Sequence, residues 1–192
     1  MFSQGDFRES LKKIMWVDEH PFPWVYITGT MPPATCSHFL KGVGALLTIN
    51  EIREPTNRFE HKYIAHLVPI KQQMAVAQSI ITYITSTFTE SSQGIVFVNS
   101  IDSGKLWEPN YPFYHAKLDV QLQENTINLW DGTESKWIIA TTALLHGVDI
   151  PCVDCIIFVD DQWGMVDFIQ GAGHAGRGGQ QSVIYLLHGG GY

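Results

Sequence analysis

Four short runs in this 192-residue chain carry no charge and little polarity: Ile95–Val98, Trp137–Ala140, Cys155–Val159 and Val183–Leu187. A strand with one wet face alternates polar and apolar residues. A run apolar at every position has both faces covered, as in the middle of a parallel sheet. Helix-like stretches lie between the runs. Ile70–Phe88 places Met74, Val76, Ala77, Ile80, Ile81 and Ile84 at helical spacing, Leu118–Trp130 carries a weaker version, and Val166–Gly173 ends on glycine. Strands alternating with helices imply crossover connections and an α/β fold with a parallel sheet flanked by helices. Lys62–Val68 reads as a further strand of this set. Nearer the N-terminus, Phe22–Ile27 and Leu46–Ile52 read as strands, with a helix over Ala34–Lys41 opened by Pro32 and Pro33.

Two turns interrupt this scaffold with chemistry. The first is Gln170-Gly171-Ala172-Gly173-His174-Ala175-Gly176-Arg177-Gly178-Gly179, ahead of the last strand. Glycines let backbone approach a ligand closely. A guanidinium is permanently charged, planar and forked, which suits phosphate oxygens. Arg177 is therefore a candidate arginine finger for a nucleoside triphosphate. A glycine-rich surface turn with a solvated arginine fits this segment equally well. The second is Ala140-Thr141-Thr142-Ala143-Leu144-Leu145-His146-Gly147-Val148-Asp149-Ile150-Pro151, with hydroxyls, a glycine and a carboxylate between two apolar runs.

Together these segments resemble motifs V and VI of superfamily-two helicases, with the RecQ-like DNA helicases nearest in pattern. Other stretches are similar to further family elements: Tyr26–Pro33 to motif III, Ile52–Arg58 to the interdomain linker, Gly94–Ser100 to motif IV, and Tyr114–Leu118 to the family's Y-H-A-G-L. The resemblance covers about residues 7–188. It implies a RecA-like (P-loop NTPase-type) fold, with residues 1–50 as the trailing part and linker of a first RecA-like domain and 51–192 as the second. It implies an ATP-dependent, 3′-to-5′ DNA helicase whose ATP and Mg²⁺ sit between two such domains.

Residue by residue, the resemblance makes Arg177 the finger. Gly147, Asp149, Gln170, Gly173 and His174 join it in the ATP-binding set: Gln170 and Gly173 shape the turn, Asp149 meets the ribose or orients Arg177, and Gly147 permits close approach. Thr30, Ser100, His115 and Thr141 become the track for single-stranded or forked DNA. Hydroxyls and backbone amides grip phosphates without reading sequence. Taken singly, each hydroxyl is also an ordinary turn residue, and His115 an ordinary structural histidine.

The chain departs from the family in several places. It contains no G-x-x-x-x-G-K-[ST] and no D-E-x-H box; Asp18 and Glu19 read as solvated turn residues. The main ligands of ATP and Mg²⁺ are thus expected on a first RecA-like domain, in cis or in trans. His174 stands where the family has an arginine, and Lys117 where it has a glycine. Ten residues separate Ser100 from Tyr111, fewer than a parallel crossover normally takes, so the helix there is expected to be shortened or lost. These departures keep two alternatives open: a non-catalytic RecA-like module that binds nucleic acid or a partner, or an inactive helicase remnant.

The formal net charge of −7 argues against a broad basic face, but not against phosphate binding through amides and helix ends. Cys152-Val153-Asp154-Cys155 is formally C-x-x-C, yet a zinc site needs two more ligands at suitable spacing; core cysteines are the expectation. With no apolar run of membrane-spanning length and no signal-like N-terminus, the expected setting is nuclear or cytoplasmic, away from membranes.

Overall fold

The computed structural model describes residues 25–28, 31–42, 50–53, 57–132, 134–145, 152–160 and 163–189. The chain divides into two compact units, Met1–Thr56 and Asn57–Tyr192.

In the first unit the helix α1 spans Pro33–Gly42, with Lys41 in its last turn where it complements the helix dipole. Arg53 donates to the Met31 carbonyl and pairs with Glu51, which lies below the usual carboxylate range because of that partner. The strands expected over Phe22–Ile27 and Leu46–Ile52 lie largely outside the described residues. Their described ends, 25–27 and 50–52, adopt no regular structure, and Val25 and Ile27 are exposed.

The second unit is a six-stranded, wholly parallel sheet of β1 (His61–Leu67), β2 (Gln93–Phe97), β3 (Phe113–Tyr114), β4 (Trp137–Ala140), β5 (Val153–Phe158) and β6 (Ser182–His188). Its strand order is β1-β6-β5-β2-β4-β3. The uncharged runs take the central places. Successive residues of β2 and its continuation alternate between faces: Ile95 and Phe97 join the core with α4 and α5, Val96 and Val98 the core with α2. Each fully buried Ile or Phe contributes roughly 1.5–3 kcal/mol relative to exposure. The edges carry less: β1 is polar and largely exposed, and β3 is only two residues long, both guards against unwanted pairing.

Helix α2 (Ile70–Thr85) buries Gln73, Ala77, Ile81 and Ile84, one stripe at 3.6-residue spacing. Its threonine-rich end is used: the Trp137 indole N–H donates to Thr85 Oγ1 at 2.8 Å. The short crossover holds a single helical turn, α3 (Ile101–Lys105), capped by Ser100. It lies so close to the sheet that a β-carbon on Gly104 would stand 2.0 Å from the Phe113 ring. Helix α4 (Val120–Asp131) starts at Asp119, whose carboxylate accepts from the Leu122 amide at 2.8 Å. A 3₁₀ turn (Thr142–Leu145) follows β4, and α5 (Met165–Ala172) returns the chain from β5 to β6. Among the described residues no helix is long and apolar enough to cross a membrane.

Candidate functional site

Parallel strands give the sheet two chemically distinct rims, and the sequence-derived candidates divide between them. At the C-terminal rim, Ser100 follows β2, His115 follows β3 and Thr141 follows β4. The turn of glycines and Arg177 lies at the opposite rim, where the Gly176 amide donates to the carbonyl of Val153, the first residue of β5. Six strand residues at about 3.3 Å each set the rims about 20 Å apart.

At the N-terminal rim, α5 ends on Gly173, and Gly176 (φ +64°) and Gly179 (φ +83°) then take left-handed conformations that turn the chain into β6. Arg177 between them is exposed. Its Nε donates to the Gly173 carbonyl at 3.2 Å and its Nη2 to His174 Nδ1 at 3.2 Å. Two of the three guanidinium nitrogens are thus bonded to the turn itself, which fixes the group against Gly173 and His174. His174 does not face outward: it is 3% exposed, with Nε2 at 3.4 Å from the Leu145 carbonyl. A guanidinium can only donate, so Nδ1 accepts and the ring proton sits on Nε2, toward Leu145. The histidine thus links the Arg177 turn to the segment that runs on to Gly147 and Asp149. Gly147 and Asp149 themselves lie outside the described residues. Gln170 is half-buried on the last turn of α5, and Gly173 serves chiefly through its carbonyl.

Sequence reasoning missed what holds this turn from outside. Arg58 Nη2 donates to the carbonyls of Ala175 (3.1 Å) and Gly176 (3.2 Å). His61 Nε2 lies 2.9 Å from the Ala175 carbonyl. Arg58 also pairs with Glu60, whose carboxyl sits below the usual range, held first by its own backbone amide and then by Arg58. These partners lie 114–118 residues from the turn, beyond any local pattern.

At the C-terminal rim the hydroxyls are structural as well as available. Exposed Ser100 accepts from the Ser103 amide at 3.0 Å, and Thr141 Oγ1 from the Ala143 amide at 3.4 Å. His115 Nδ1 accepts from the Lys117 amide at 3.2 Å and packs on Phe113. A residue no motif singled out organises this rim. Asp160, the one described non-glycine residue at positive φ (68°), accepts from the Asn99 amide (2.9 Å) and Ser103 Oγ (3.2 Å). Its own amide donates to buried Gln73 Oε1 at 2.8 Å. Thr30 lies outside the described residues.

Of the cysteine pair, Cys155 is 1% exposed with its thiol pushed up by burial, and no group of three metal-ligating side chains occurs among the described residues.

Residues 74–179 match the family described as helicase conserved C-terminal domain. The mouse ATP-dependent DNA helicase Q1 is 24% identical over 96% of this chain and 29% of its own length. The ATP-dependent DNA helicase RecG of Treponema pallidum (strain Nichols) is 25% identical over 50% of this chain and 15% of its own. The chain thus spans less than a third of either relative. Among solved structures, S. cerevisiae Dbp5 bound to RNA and ADP BeF3 superposes with a TM-score of 0.67 at 18% identity, covering 83% of this chain and 43% of that one. The E. coli DEAD-box protein SrmB bound to the regulator RraA gives 0.54 at 16% identity, covering 66% and 76%. At such identities the superpositions establish the RecA-like fold.

Proposed function

The chain belongs to the helicase conserved C-terminal domain family of superfamily-two helicases, and from that premise we propose that it supplies the finger side of an ATP cleft completed by a first RecA-like domain, and part of a single-strand DNA track. One observation carries the reading: Arg177 is exposed on a double-glycine turn, with its guanidinium oriented by bonds from Nε to Gly173 and from Nη2 to His174. A pre-set guanidinium loses little freedom when phosphate oxygens arrive and meets charge as it develops.

The neighbourhood fits a phosphate: Gly178 and Gly179 are exposed, and nothing lies within 4 Å of where a Gly179 β-carbon would be. It does not fit the metal, since the described residues gather no carboxylate cluster; Mg²⁺ ligation is assigned to the first domain with the P-loop. Bound ATP would supply a γ-phosphoryl group whose transfer concentrates negative charge. Arg177 would neutralise that charge, with His174 holding Arg177 in place; Gly147 and Asp149 join the ATP-binding set by resemblance alone. In this reading residues 1–50 are the trailing part of the first RecA-like domain.

Ser100, His115 and Thr141, with Thr30 by resemblance, would contact the strand backbone at the far rim. DNA is favoured over RNA by the RecQ-like motifs and by the alignment with a DNA helicase along nearly the whole chain. A second reading, a non-catalytic module, is favoured by buried His174: the segment presents one guanidinium where the family pattern has two arginines.

The test is to mix the chain with a separately expressed first RecA-like domain and measure ATP hydrolysis with single-stranded DNA, single-stranded RNA or neither. DNA-stimulated turnover that falls by about 10³ or more in Arg177→Ala is expected. Strand binding without turnover would establish the module instead.

A further inference from the structure

We propose that Arg58 is a positioning residue for Arg177, clasping from outside the turn that bears it. The proposal rests on the reading of Arg177 given above. Arg58 is the second residue after the boundary at Thr56. Its Nη2 donates to two successive carbonyls, those of Ala175 and Gly176, the second belonging to the peptide bond that leads into Arg177. Two carbonyls converge on one nitrogen there because Gly176 has φ +64°. The clasp is itself oriented. Arg58 Nε pairs with Glu60, the Glu60 carbonyl accepts from the Ser182 amide at 2.8 Å, and Glu60 Cγ would stand 3.0 Å from a β-carbon on Gly176. His61 adds a second hold on the Ala175 carbonyl.

Arg177 is thus fixed from two directions. Gly173 and His174 hold its side chain, and Arg58 and His61 hold its backbone. The first pair belongs to the turn. The second belongs to the start of β1, directly after the connection. The carbonyls that Arg58 grips are those whose rotation would re-aim Arg177.

The test uses the full 192-residue chain as Arg58→Ala and Arg58→Lys, followed by amide hydrogen exchange with mass spectrometry. In Arg58→Ala the amides of residues 174–176 should exchange roughly tenfold faster, with β2 and β5 as protected as before. Lysine, a point charge without a fork, should restore part of the protection. In the two-domain hydrolysis assay, Arg58→Ala should lower kcat about tenfold with little change in KM for ATP, as expected for a group acting in the transition state. Unchanged exchange at 174–176 overturns the clasp. Protection lost across the whole sheet overturns it too, since Arg58 would then hold the fold and not the turn. Arg177→Ala separates the two readings: if it abolishes hydrolysis while Arg58→Ala leaves kcat unchanged, the clasp fails and the finger stands. If Arg177→Ala changes nothing, the finger fails and takes the kinetic consequence of Arg58 with it.

Discussion

Gly176 and Gly179 share a backbone conformation and differ in their surroundings, so alanine at each separates strain from crowding. Alanine in the left-handed region costs about 1–2 kcal/mol. Loss of glycine's freedom in the unfolded chain returns about 0.4–1 kcal/mol. For Gly179→Ala, at φ +83° with nothing within 4 Å of the new methyl, the net cost should be about 1 kcal/mol or less. At Gly176 the methyl would meet the Gln180 carbonyl at 2.9 Å, and Glu60 Cγ and Ser182 Oγ at 3.0 Å. Two of these are anchored, the first as backbone and the last as a buried side chain, so crowding adds about 1–3 kcal/mol. Gly176→Ala should therefore cost about 2–3 kcal/mol in all, by the same strain and crowding terms. Urea unfolding followed by tryptophan fluorescence reads this well, because Trp107, Trp130 and Trp137 are all buried in the second unit. With a slope of about 2 kcal/mol per molar urea, the midpoint should fall by about 1 M for Gly176→Ala and by less than about 0.5 M for Gly179→Ala. Equal shifts would refute the close approach of Glu60 and Ser182 to the Arg177 turn, and weaken the argument for Arg58.

Two further outcomes follow from the core. Gly104→Ala should destabilise by about 1–3 kcal/mol despite alanine's helix preference, because its methyl meets the Phe113 ring, and Phe113→Leu should recover about 1 kcal/mol or more of this in a double-mutant cycle; strict additivity would refute the contact. With its thiol raised by burial, and further by the charge of Asp154, Cys155 should resist iodoacetamide at pH 8 in the folded chain while the half-buried Cys152 reacts, a difference that peptide mass analysis reads and that urea should abolish.

The fold was legible wherever burial had erased polarity. The uncharged runs became β2, β4, β5 and β6 within a residue or two, and the stripe on Ile70–Phe88 became α2. The strand expected at Lys62–Val68 is β1, one residue earlier. What escaped was held by single contacts. β3 is two residues after Pro112, too short for any alternation to register. α3 survives a crossover of ten residues because Ser100 caps it and Gly104 lets it lie flush against Phe113.

At the candidate site the sequence marks the residues that face outward and not those that hold them. Arg177 announces itself through its glycines. Arg58, His61, Gln73 and Asp160 carry no local signature, because they are joined to partners on turns and helices distant in the chain. His174 could be read only as a departure from a family pattern; the fold makes it a strut between two turns.

The buried His174 ring spans much of the distance between the two rims: it lies 6.5 Å from Phe97, the last residue of β2, while the turn that follows it bonds Val153 at the start of β5. A disturbance of the stretch from Thr141 to Leu145 therefore reaches the Arg177 turn through one imidazole, which bonds the Leu145 carbonyl on one side and Arg177 on the other.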